Sequence, residues 1–234
     1  MNHYVKRTVA AAAVALGMVT GAQAAFVNGG FETVLVPIGA QNFVITPAVN
    51  LPGWRTTAAD GMVEVWQTPG YTGEFARTAY EGRQYAELNA NQPSALFQDV
   101  LGIGAGNIVG WELAHRGRLG TDTMRLTITD LGLDGLLGGV GLNADTQLFT
   151  NPFSTGNQAW QFYSGSGILT LGNTVRFSFG AVSTFGGDLS HGNFLDATNF
   201  GVDVGKVPEP ASLLLLGTAL LGVGFARRSA KKAA

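Results

Sequence analysis

Short runs in which apolar and polar residues alternate recur through the middle of the chain. Met62-Val63-Glu64-Val65-Trp66 and residues 84–88 alternate with period two, and residues 124–129 do so most cleanly. Residues 95–100, 167–171, 174–179 and 199–204 read the same way. Successive side chains of a strand point to opposite faces, so each run predicts a strand with one buried face. Gly, Asn, Asp and Pro separate the runs at short intervals, where turns are expected. No stretch between the two ends sustains a 3.6-residue period. The pattern therefore predicts an all-β fold, a β-sandwich or jelly roll. Residues 131–151, rich in Gly and Leu, read either as a long loop or as a strand with an irregular excursion.

The two ends follow a different pattern. Lys6 and Arg7 precede an apolar, Ala-rich run at 8–19, and Ala22-Gln23-Ala24 matches the small-x-small cleavage site of a secretory signal. Residues 1–24 are therefore read as a signal peptide, with an N-terminal signal helix. At the other end, Pro208, Glu209 and Pro210 precede an uncharged run at 211–226, and Arg227, Arg228, Lys231 and Lys232 follow it. Sixteen helical residues span about 24 Å, slightly less than a ~30 Å hydrocarbon core. A buried core helix is the alternative. Four basic residues within six positions have no place in a core, and such flanks stay cytoplasmic. The expectation is a single C-terminal transmembrane helix at 211–226 and one domain at 25–206.

Charge changes meaning once these ends are set aside. The chain has 14 basic and 16 acidic residues. The ends hold six of the basic residues and one acidic residue, Glu209, which leaves eight basic, 15 acidic and a net −7. A domain that acidic lacks the basic footprint phosphate binding needs, so nucleic acid is not an expected partner. There is no cysteine, so disulfides, thiolate metal sites and cysteine nucleophiles are excluded.

Chemistry for catalysis is sparse. His115 and His191 belong to no His-Glu-x-x-His pattern, and no serine sits in a Gly-x-Ser-x-Gly elbow. Asp188, Ser190 and His191 are sequence neighbours, which rarely assemble as a triad. No carboxylate pair stands out for glycoside hydrolysis. The expectation is no enzyme. Sugar binding instead needs aromatic faces and polar groups. Trp54 and Tyr71 flank Pro- and Gly-rich turns and are the preferred ligand contacts, since loops carry binding more often than strands. Arg116 and Arg118 could hold a uronic acid carboxylate bidentately. The alternative is that they pair with Asp99, Glu112 or Asp122 within the domain.

The order Pro-Glu-Pro, apolar segment, Arg-Arg over 207–232 resembles the PEP-CTERM sorting signal of Gram-negative bacteria. The resemblance implies an exosortase as partner, a transient stay in the inner membrane, removal of the tail, and delivery to the cell surface or extracellular matrix. It further implies an association with exopolysaccharide and biofilm. Within the domain, Asn28-Gly29-Gly30-Phe31-Glu32, Leu51-Pro52-Gly53-Trp54, the phrases 82–89, 97–100 and 160–163, and Gly192-Asn193-Phe194-Leu195-Asp196 follow one another. That order resembles galactose-binding-like jelly rolls, the fold of many carbohydrate-binding modules. The resemblance implies about eight strands and a structural calcium ion, with Glu32 and Asp196 at the positions of its carboxylate ligands. The expected function is carbohydrate binding. A structural matrix protein without a ligand and a polysaccharide hydrolase are the alternatives.

Overall fold

The computed structural model describes residues 26–38, 42–68 and 77–202. Tyr71, the signal-peptide positions Ala22 and Ala24, and the C-terminal Pro208, Glu209, Pro210, Arg227 and Arg228 lie outside the described residues. The described residues hold eleven strands. They are β1 (Phe43–Pro47), β2 (Arg55–Thr56), β3 (Met62–Gln67), β4 (Gln84–Glu87), β5 (Ala95–Leu101), β6 (Ile108–Arg116), β7 (Asp122–Asp130), β8 (Thr146–Thr155), β9 (Gln161–Leu169), β10 (Thr174–Ser183) and β11 (Phe194–Val202). The excess over about eight includes the short strands β1 and β2, which lie at the edges of the two sheets, and β4, which is internal.

Two antiparallel sheets form the sandwich. One has six strands in the order β1-β3-β4-β11-β6-β9, and the other has five in the order β2-β5-β10-β7-β8. The core lies between them. Val63, Val65, Ala86, Leu113 and Leu195 face Met124, Leu126, Ile128, Phe177 and Phe179, all essentially inaccessible. Period two explains the second set. In β7, Met124, Leu126 and Ile128 point inward while Thr123, Arg125, Thr127 and Thr129 point out.

Several sequence-based boundaries shift. Residues 167–169 of the run at 167–171 are the end of the longer β9, and the last strand begins at Phe194 rather than at 199. Both strands open with residues that do not alternate. Residues 131–151 divide into a loop at 131–145 and the first part of β8. Strand β6 escaped the alternation test because most of its residues are buried on both faces. In β11, the register against β6 slips between Asp196 and Asn199, where Ala197 takes a left-handed φ of 46°. This bulge re-aims the side chains around Asp196.

Candidate functional site

The outer face of the six-stranded sheet does not face water along its length. Register places Trp66 opposite Tyr85, Glu64 opposite Glu87, Glu87 opposite Phe194, and Phe194 opposite Arg116. These residues therefore share that outer face. Trp66, Tyr85 and Phe194 pack into an aromatic cluster, with Phe43, Ala79 and Trp160 against it. Trp66 and Tyr85 are stacked with centroids 6.3 Å apart, and Phe194 meets both edge-on. The chain around residue 79 roofs the cluster. Ala79 N donates to Thr68 Oγ1 at 2.7 Å, and Trp160 Nε1 donates to the Thr78 carbonyl at 2.8 Å. The Tyr85 hydroxyl beneath is buried and has no hydrogen-bond partner among the described residues.

A charged group is sealed into the same layer. Glu87 accepts from Trp66 Nε1 at 2.9 Å, from Arg118 Nη1 at 2.9 and 3.0 Å, and from Gly192 N at 2.6 Å. Glu64 lies directly opposite Glu87 across the β3–β4 ladder. Burial, followed by the Glu87 charge, pushes the Glu64 carboxyl up to about 9. Burial also raises Glu87, although Arg118 opposes it. Glu64 therefore keeps its proton at neutral pH, because two facing carboxylates out of water cannot both ionise. Glu64 and Arg118 also line a pocket of about 200 Å³ together with Ser190 and His191.

The face opens at its other side. A groove of about 320 Å³ is lined by Phe26, Tyr80, Glu81, Glu112, Phe162 and Asn199, with backbone from the Gly29-Gly30 turn and the Ala197 bulge. The Tyr80 and Phe162 rings stack with centroids 5.8 Å apart and planes within 14°. Both are exposed, Tyr80 at 44% and Phe162 at 39%, so they offer a flat apolar wall to solvent. Glu81, Glu112 and Asn199 supply acceptors and a donor. Among the described residues, the only charges lining the groove are negative.

The sequence-predicted residues are distributed differently. Trp54 is a correction. It is 3% exposed, stacks on Phe31 with centroids 4.8 Å apart, and donates Nε1 to the Asn28 carbonyl at 2.9 Å. Its ring is core and offers no face to a ligand. Arg116 donates from Nε and Nη2 to the Asn157 carbonyl at 3.0 and 2.6 Å. The Arg118 guanidinium pairs with Glu87, while Asp122 Oδ2, one of the carboxylates that the sequence suggested, accepts from the Arg118 backbone amide at 2.8 Å. Both guanidinium groups are committed within the domain. Asp188 accepts from Ser190 Oγ at 2.9 Å and pairs with His191 Nδ1 at 2.7 Å. Serine and histidine thus bond to the same carboxylate, not to each other, which is a turn and not a triad.

Glu32 and Asp196 converge on one segment from two sides. Glu32 Oε1 accepts from Arg83 N and Gln84 N at 2.7 and 2.8 Å. Asp196 Oδ2 accepts from Tyr80 N and Glu81 N at 2.7 and 3.1 Å. Asp196 is fully buried, and burial raises its carboxyl to about 7 despite these bonds. Among the described residues no cation pairs with it, and no group of three or more His, Cys, Asp or Glu side chains is gathered as for a metal. An uncompensated buried carboxylate fits a nearby cation, and calcium could draw its remaining ligands from backbone carbonyls.

Sequence reasoning missed Tyr80, Phe162 and the Glu64–Glu87 pair. The usable signal was β3, in which Glu64 sits within a strand that is apolar on both faces. The approach of Tyr80 to Phe162 depends on a non-local fold and left no local trace.

Known proteins can be set beside this geometry. The PEP-CTERM protein-sorting motif matches residues 206–228, which include the Pro-Glu-Pro and Arg-Arg positions. That motif implies exosortase-dependent export through the membrane to the cell surface. No curated protein matches the chain. Among solved structures, the fold is similar to TmCBM61 in complex with β-1,4-galactotriose, at 13% identity and a TM-score of 0.43, over 74% of this chain and 94% of that one. It is also similar to the C-terminal family 22 carbohydrate-binding module of Clostridium thermocellum Xyn10B, at 10% identity and a TM-score of 0.44, over 77% and 98%. A third is the CBM22-1 xylan-binding domain of Paenibacillus barcinonensis Xyn10C, at 12% identity and a TM-score of 0.41, over 73% and 92%. The chain carries a PEP-CTERM sorting motif behind a β-sandwich of two antiparallel sheets.

Proposed function

We propose that the exported sandwich binds polysaccharide in the groove beside Tyr80 and Phe162, and that it does so without cleaving it. The observation that carries this reading is the exposed stacked pair set against hydrogen-bonding side chains. A pyranose ring has an apolar face for the aromatic wall and hydroxyl groups for Glu81, Glu112 and Asn199. Charge narrows the ligand. Like charges facing each other in a binding site are costly, so the two glutamates disfavour uronic acids and favour neutral or amino-bearing sugars. The uronic acid suggested by Arg116 and Arg118 is thereby set aside, since both arginines are occupied elsewhere. The exopolysaccharide of the producing cell, met at the surface or in the surrounding matrix, is the natural ligand in this account.

We further propose that Glu32 and Asp196 hold a structural calcium ion. The ion would supply the positive charge that buried Asp196 lacks. It would tie the start of the domain to its last strand.

One observation favours the alternative of a structural matrix protein without a ligand. Trp54, Trp66 and Trp111 are all buried, so three of the four tryptophans are unavailable to sugar. A glycan array with the purified chain, followed by a reducing-sugar assay on any hit, separates the readings. Binding to neutral or amino glycans that weakens at least tenfold in Phe162→Ala is expected. A blank array from folded protein supports the structural reading, and released reducing ends support a hydrolase.

A further inference from the structure

The largest group of exposed apolar side chains lies at one end of the sandwich, with a smaller group of Leu119, Val182, Phe185 and Leu189 at the other. Leu133, Leu136, Leu137, Val140 and Leu142 in the β7–β8 loop are 61–84% exposed. Register places three further groups beside them. Strand β7 ends at Asp130, opposite Val175 near the start of β10, and β10 begins opposite Leu101 at the end of β5. In the other sheet, β6 begins with Ile108 opposite Leu169 at the end of β9. Leu101, Ile108, Leu169 and Leu171 are all exposed, and they share that end with the leucine loop.

The loops there form a braced platform. Asp130 Oδ2 accepts from Leu171 N and Gly172 N at 2.8 and 2.7 Å, and its Oδ1 accepts from Gly132 N at 3.1 Å. Asp134 caps Leu136 N and Asp145 caps Gly138 N. The carboxylates of this end are turned onto backbone amides while the leucines are left outward. Residues 102–107, 131–145 and 170–173 contain no Lys, Arg, His or Glu. Isolated exposed leucines are ordinary, but a patch gathered on one end marks a contact surface.

The course of the chain identifies the contact. Strand β11 leaves the domain at this same end, with Val202 opposite Val109 near the start of β6. Eight residues, 203–210, separate it from the apolar run at 211–226. A fully extended chain of that length reaches at most about 30 Å. We propose that the leucine loop is a membrane-contact surface. While the apolar tail spans the bilayer, the domain rests on the lipid through residues 133–142. The proposal relies on the sorting reading of the tail. The opposite end, with the loop at 188–193, then points away from the membrane. With no basic side chain in the loops, contact is apolar and held by the tether, and it does not depend on anionic headgroups.

The chain has no cysteine, so single labels are clean. Leu137→Cys and, at the far end, Leu189→Cys are each labelled with the polarity-sensitive dye NBD. Both positions are more than 60% exposed, so the labels displace no core. The full chain is reconstituted into vesicles of phosphatidylethanolamine and phosphatidylglycerol, with or without nitroxide-labelled lipid. Flotation reports the tail, and quenching reports the loop. The proposal expects a blue shift and at least threefold quenching at position 137, unchanged in high salt, and neither at 189. Flotation without quenching at 137 overturns the membrane contact and leaves the tail reading intact. A blue shift at 137 without lipid quenching means the patch is covered by another copy, which also overturns it. Loss of flotation removes the tail reading, and the loop proposal goes with it.

Discussion

The two sheets carry opposite outer faces. On the five-stranded sheet, Thr127 meets Thr150, Thr123 meets Ser154, and Arg176 and Arg55 share Asp99 above the Phe97 ring. That is a solvated face of small hydroxyl pairs and a shared ion pair. On the six-stranded sheet, the equivalent layer is Trp66, Tyr85 and Phe194 over a sealed Glu64–Glu87–Arg118 group. A sheet needs only one buried face to fold. Burying the second commits aromatic and charged groups to a surface that stability alone does not require, and the open groove lies on that same surface.

The contrast is broken most strongly at the aromatic layer. Trp66→Ala should cost about 3–5 kcal/mol, as large aromatic truncations in a packed site do, while Thr127→Ala on the other face should stay within ~0.5 kcal/mol. Urea unfolding of the two variants measures the difference. Equal, small losses would mean that the aromatic layer is not packed as described.

The ion pairs give the next effect. Arg118 is the only cation paired with Glu87 among the described residues, and Glu87 is fully buried. Arg118→Ala should approach the lower end of the ~3–5 kcal/mol cost of stranding a buried charge. Asp99 has two arginines, so Arg176→Ala leaves it paired with Arg55 and should cost about 1 kcal/mol or less. Melting temperatures rank the two variants, and reversal of that order would contradict the account.

Proton linkage sharpens the same comparison. The Glu64 carboxyl titrates at about 9 in the folded chain, above its ordinary 4.5, so the native state holds its proton longer than the unfolded state does. Its contribution to stability is full below about 4.5 and is lost as pH rises through about 9. His115 acts in the opposite sense. Burial lowers it to about 4 from 6.5, so the native state resists its protonation and stability falls as pH drops from 6.5 toward 4. Stability should therefore decline between pH 7 and 9, and Glu64→Gln should remove most of that decline. A variant with the same slope as the parent would place the proton elsewhere.

Much of this architecture is legible in the sequence, and unevenly so. Strand β7 was plain because Met-Arg-Leu-Thr-Ile-Thr at 124–129 alternates without exception, the mark of a sheet with one wet face. Strand β6 was not, because Trp111, Leu113, Ala114 and His115 are buried on both sides and the period is lost. Trp54 looked like a loop aromatic in Pro-Gly-Trp. The fold uses the turn at Gly53, with φ of 85°, to drive that ring inward onto Phe31. Arg116 and Arg118 stood out in an otherwise acidic domain. Their partners, the Asn157 carbonyl and Glu87, lie 41 and 31 residues away and could not be assigned from local pattern.

Calcium gives the smallest expected change and adds the two termini of the domain to the comparison. Saturating calcium should raise the melting temperature by several degrees relative to chelator, by stabilising only the state that binds it. Asp196→Asn should abolish the increment, whereas Asp99→Asn on the plain sheet should keep it. An increment that survives in Asp196→Asn would move the ion away from this site.

The central claim is that the groove between Tyr80, Phe162, Glu81 and Glu112 is where polysaccharide binds. Its most direct test is titration calorimetry of the chain and of Phe162→Ala against the glycan that scores highest on the array. The account predicts measurable binding by the parent and at least a tenfold loss in the variant, with the melting temperature nearly unchanged because the ring is exposed. Unaltered affinity in a folded Phe162→Ala variant would contradict it.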